Sequence, residues 1–125
     1  MKKLVKEGRW IKIYKTDGEY VFKTYPRNDK NQRLGTSRAY SSFEECEEAS
    51  KKFIRFILEN EINNSDSQYI ILEQEKDARG CWRYRYVCND ENGQPFFYQR
   101  YVGNKTNSKK GVISIYNTLE KAYRR

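Results

Sequence analysis

The residues with most chemistry to offer lie in Cys81-Trp82-Arg83-Tyr84-Arg85-Tyr86-Val87, where aromatic and cationic side chains alternate at the two-residue period of a strand. That alternation predicts one aromatic face, with Trp82, Tyr84 and Tyr86 buried, and one basic face carrying Arg83 and Arg85. The same reasoning puts Lys23 on the basic face and, with Tyr101 turned inward, places Phe96, Tyr98 and Arg100 beside it. An open sheet face of Tyr, Phe, Arg and Lys can stack unpaired bases and neutralise phosphates. The candidate contacts for nucleic acid or another partner are therefore Lys23, Arg83, Arg85, Phe96, Tyr98 and Arg100.

Catalysis has much less to stand on. The chain has no His, no Gly-rich phosphate loop and no nucleophile or carboxylate pair at a recognisable spacing, so no catalytic residue is assigned and a non-enzymatic protein is expected. The three cysteines, Cys46, Cys81 and Cys88, form no C-x-x-C pair, and without His they offer no metal set. They read as reduced packing residues, and neither cofactor nor metal is expected.

A formal charge of +8 on 125 residues invites a polyanion, through counterion release on a phosphate backbone. Solubility alone is the plainer account of that charge. Met1 to Lys6 begins like a signal sequence, but Glu7, Gly8 and Arg9 stand where its apolar region would be. No window approaches a bilayer span, so a cytoplasmic protein with no membrane partner is expected.

The elements that must position these residues come in one domain, residues 1–125. Trp10 to Tyr14 and Tyr20 to Tyr25 read as strands joined around Asp17-Gly18, Pro26 to Gln32 as a turn, and Arg33 to Tyr40 as a weaker strand. Ser41 with Glu44 has the pattern of a capping box, opening a helix to about Asn60 with Cys46, Ala49, Phe53 and Ile57 as its buried stripe. After a polar linker over 61–68, strands follow from Tyr69, Cys81 and Pro95, and a last helix starts near Asn107-Ser108 with Val112, Tyr116, Leu119 and Tyr123 inward.

Both halves, about 10–60 and about 69–123, thus read strand, strand, strand, helix. Spacing agrees when Tyr20 is set against Trp82, Phe22 against Tyr84, Tyr40 against Tyr101 and Ile54 against Ile115. The predicted fold is α+β: two tandem β-β-β-α repeats forming a mainly antiparallel sheet with two helices on one face.

Tyr20-Val21-Phe22-Lys23, Trp82-Arg83-Tyr84-Arg85, Asn92-Gly93, and Ser37 to Ser42 leading into Cys46 resemble the YegP-like small bacterial proteins, a domain family of unknown function built from tandem strand-strand-strand-helix repeats. The resemblance covers nearly the whole chain after Arg9. It implies the fold and carries no catalytic residues. The first repeat lacks the Asn-Gly turn, and in the second Gln99-Arg100 replaces the usual Ser-containing approach to Tyr101.

On this reading the protein is a binding module, with nucleic acid or a nucleoprotein as partner. The alternative is a protein-interaction module such as a small bacterial or phage inhibitor or adaptor, since Tyr, Phe and Arg also dominate protein interfaces. The same face suits pairing with a second copy as a homodimer.

Overall fold

The structure is a computed structural model, and it describes residues 2–7, 11–25 and 35–123. Trp10 and the turn expected over Pro26 to Gln32 lie outside the described residues. The elements run β1 (Lys2–Glu7), β2 (Ile11–Thr16), β3 (Glu19–Thr24), β4 (Gly35–Ser37), α1 (Phe43–Glu59), β5 (Ile70–Lys76), β6 (Trp82–Asn89), β7 (Pro95–Gln99) and α2 (Lys105–Tyr123).

The strands form one seven-stranded sheet in the order β1-β2-β3-β4-β7-β6-β5, with every neighbouring pair antiparallel. Two meanders meet at its centre through β4 and β7, and both helices pack on one face. β1 was not expected from the sequence. Its Lys-rich run has little apolar alternation, and it occupies an edge, where lysines discourage further pairing.

Local chemistry explains several boundaries. Asp17 and Gly18, at φ +52° and +81°, close the β2–β3 hairpin as a tight turn in which both residues are left-handed. The cap of α1 lies one residue later than predicted: Ser42 accepts from the Glu45 N–H, while the Ser41 hydroxyl donates to the Glu45 carboxylate. At α2 the helix starts earlier than predicted, because the Asn104 side chain accepts from the Asn107 N–H at 2.8 Å.

The core between sheet and helices is built on phenylalanine. Phe53 of α1 stacks on Phe97 of β7 at 4.5 Å between centroids and lies 5.4 Å from Phe22 of β3. Cys46, Ile57 and Leu119 complete it, with Phe22, Phe53 and Cys46 at 0% exposure. Gly35 allows β4 and β7 to meet beneath this layer: a Cβ there would stand 2.5 Å from the Phe97 ring and 2.7 Å from the Tyr98 carbonyl oxygen.

Several expectations are corrected. Trp82 is 46% exposed, because the outer end of the β5–β6 hairpin runs past the helical layer and only Tyr86 and Cys88 reach the core. Cys81 is likewise exposed, so only Cys46 and Cys88 are packing residues. Burial pushes both of their thiols up to about 12. Tyr123 ends α2 at 41% exposure, beyond the buried Val112, Tyr116 and Leu119.

Candidate nucleic-acid interface

Among the described residues, the sheet face opposite the helices carries no second layer. Strand register assigns it Lys12 and Tyr14 of β2, Lys23 of β3, Thr36 of β4, Tyr98 of β7, Arg83, Arg85 and Val87 of β6, and Ile71, Glu73 and Glu75 of β5. The expected outward parity of Lys23, Arg83, Arg85 and Tyr98 therefore holds.

Two tyrosine–cation clusters occupy this face. In the first, Lys12 Nζ lies 4.6 Å from the Tyr25 ring centroid and Lys23 Nζ 5.1 Å from that of Tyr14, while the Tyr14 and Tyr25 hydroxyls share a 2.9 Å hydrogen bond. Lys23 is only 6% exposed, so its charge is held within the cluster and is not presented to solvent. Outward parity did not bring exposure here.

The second cluster surrounds Arg85. Its guanidinium carbon is 4.8 Å from the Tyr98 ring centroid and 4.5 Å from that of Tyr101. Its Nε and a terminal nitrogen converge on one oxygen of Glu73, at 2.9 and 2.8 Å. Tyr101 is thus on the open face, against the inward orientation expected for it, because Val102 makes the backbone bridge to Tyr84. Burial and a hydrogen bond with Glu75 raise the Tyr101 phenol above its usual range, with Arg85 opposing.

Phe96 is the clearest correction. It is 7% exposed and packs edge-on against Phe53 and Phe56 of α1, each at 5.6 Å. Where β6 steps from Cys88 to Asn89, β7 steps from Phe97 to Pro95, so Phe96 is the extra residue of a bulge and turns toward the helix with Phe97. Strict alternation cannot anticipate that displacement.

Arg100 is exposed and, among the described residues, unpaired. It borders a depression of about 470 Å³ lined by Thr36, Arg85, Tyr98, Gln99 and Tyr101. Arg83 is 3.5 Å from Asp77, whose carboxyl is held below its usual range, first by the Cys81 N–H and then by the Arg79 N–H and by Arg83. Tyr101, Tyr14 and Lys12 are the contacts that sequence reasoning missed. Lys12 and Tyr14 already alternate in Trp10 to Tyr14 and could have been found there.

A concavity of about 760 Å³ runs along α1 on the helical side and includes Glu44, Glu45, Glu48, Glu59, Asp90 and Glu91 among its lining. Arg38, Lys52 and Arg55 share this lining and leave acids in the majority, which disfavours phosphate there.

No group of three or more metal-ligating side chains is gathered among the described residues, and no helix there is long and apolar enough to cross a membrane. Comparison with protein-family models, with curated proteins and with solved structures found no match.

Proposed function

We propose that the protein is a non-enzymatic binding module that takes single-stranded nucleic acid on the open sheet face. The observation that carries this reading is the Tyr98–Arg85–Tyr101 assembly, fixed by Glu73, beside the exposed Arg100 and its depression. Rings held by an internal cation need little ordering before a base stacks on them, and Arg100 with Arg83 supplies the phosphate contacts. Lys23 and Phe96 drop out of the contact set, and Arg85 becomes its organiser.

Fluorescence anisotropy of labelled single-stranded DNA, RNA and duplex at two salt concentrations tests the reading. Single strands should bind in preference to duplex. Tyr98→Ala should weaken binding about tenfold, and Arg100→Ala should lower the slope against log salt by about one. Flat titrations at low salt, or binding indifferent to both substitutions, would remove this face from consideration.

A protein-interaction module, such as a small inhibitor or adaptor, is the second reading. It is favoured by the ion pair that Glu73 forms with Arg85, which leaves a rigid tyrosine and arginine surface of the kind that dominates interface hot spots. Its contacts would survive salt that removes nucleic acid.

We also propose that the chain is a tandem duplication of the YegP-like kind. Paired backbone features support it: Tyr20 bridges Tyr40 as Tyr84 bridges Val102, and the Phe22 N–H donates to the Ser37 hydroxyl as the Tyr86 N–H donates to the Gln99 side-chain oxygen, both at 2.9 Å. Buried Cys46, Phe53 and Ile57 of α1 then correspond to buried Ser108, Ile115 and Leu119 of α2. In this register Tyr20 matches Tyr84, two residues beyond the Trp82 chosen from sequence spacing.

A further inference from the structure

Among the described residues, Trp82 is the largest side chain left substantially in solvent, at 46% exposure, and tryptophan is a residue type enriched where partners bind. It stands on the helix-side face of β6, at the outer end of the β5–β6 hairpin, with half-buried Tyr84 next to it on that face. The end of the hairpin is tightly built. The Asp77 carboxylate accepts from the Arg79 and Cys81 N–H groups at 2.9 and 3.0 Å, the Asp77 carbonyl accepts from Gly80, and Asp77 N–H donates to the Cys81 carbonyl. Trp82 is therefore held out by a rigid turn.

Its surroundings are cationic. Lys76 Nζ lies 5.3 Å from the Trp82 ring centroid and Lys105 Nζ, from the start of α2, 5.6 Å from that of Tyr84. Arg79 is exposed in the turn. Asp77 is the only acid between Lys76 and Arg83, and its oxygens are already committed to the turn and to Arg83. Arg83 and Arg85 follow on the opposite face of the same strand, so the basic surface continues around the hairpin from the open face to Trp82.

We infer that the end of the β5–β6 hairpin is a second contact for single-stranded nucleic acid, in which Trp82 stacks on an unpaired base and Lys76, Arg79 and Lys105 neutralise the flanking phosphates. This rests on the nucleic-acid reading proposed above and extends it around the strand edge. A ring with one side open to solvent and cations within a few ångströms meets both needs of a flexible anionic strand, base stacking and charge neutralisation. A duplex, with its bases already stacked, gains only the charge.

The test uses the full chain with labelled oligothymidylate of about twelve nucleotides, enough to span both contacts. Trp82→Ala should weaken binding about tenfold and Trp82→Phe much less, since the phenyl ring still stacks. Lys76→Ala with Lys105→Ala should lower the salt slope by about two, one for each phosphate contact. An unchanged melting temperature in Trp82→Ala would show that the fold is intact, and in a Trp10→Phe background the fluorescence of Trp82 should be quenched by the oligonucleotide.

Wild-type affinity in Trp82→Ala, with Tyr98→Ala impaired, would overturn this inference and leave the open-face reading standing. Impairment by Trp82→Ala alone would do the reverse. No binding by the wild-type chain would overturn both.

Discussion

Both faces of this sheet carry aromatic side chains, and they use them differently. On the helical side Phe22, Phe53, Phe96 and Phe97 pack against one another and against aliphatic side chains. On the open side every aromatic among the described residues is a tyrosine, and Tyr14, Tyr25, Tyr98 and Tyr101 each hold a cation within about 5 Å. A phenyl ring gains by leaving water altogether, whereas a phenol keeps a polar end that can remain at a wet surface. The helical side therefore supplies stability, while the open side is a polar, ordered surface with a charge on it.

The contrast can be broken first at Phe53. Phe53→Ala should cost about 3 to 5 kcal/mol, because it removes the ring that joins α1 to β3 and β7, and urea denaturation would measure it. Gly35→Ala should follow at about 1 to 3 kcal/mol through overpacking against Phe97 and the Tyr98 carbonyl, read as a lower melting temperature. Arg85→Ala should cost only about 1 to 2 kcal/mol, from two half-exposed cation–π contacts and an ion pair weakened by solvent. A larger loss at Arg85 than at Phe53 would mean that the roles of the faces are reversed.

The smallest effect concerns the thiols. Cys81 should react with Ellman's reagent in the native protein near pH 8, whereas Cys46 and Cys88, buried and pushed up to about 12, should react only after unfolding. Release of more than one equivalent from the native chain would contradict the burial of the helical side.

Much of the architecture was legible in the sequence. Alternation and turn residues located β2, β3, β5, β6 and β7 to within a few residues, and helical spacing gave the buried faces of both helices. β1 escaped because a strand that is half lysine, with Leu4 and Val5 adjacent and not alternating, has no apolar face to read, and its place is fixed by pairing with β2.

The candidate site was legible in parity and less so in accessibility. Alternation predicted the side on which Lys23, Arg83, Arg85 and Tyr98 emerge. It could not anticipate that the bulge turns Phe96 inward, that Val102 takes the bridging position and leaves Tyr101 outward, or that Lys23 is enclosed at 6% exposure. Each of those depends on a backbone irregularity or a cross-strand neighbour, which local periodicity does not encode. Trp82 escaped for another reason: its parity is inward, but the helical layer ends before its position.

The account's central claim is that the open face is the binding surface, and amide chemical-shift mapping with a single-stranded oligonucleotide tests it most directly. Perturbations should cluster at Thr36, Arg85, Tyr98, Arg100 and Tyr101, extend along the β5–β6 hairpin to Trp82, and spare the acidic face of α1. Shifts confined to the helices, or a spectrum unmoved at low salt, would contradict it.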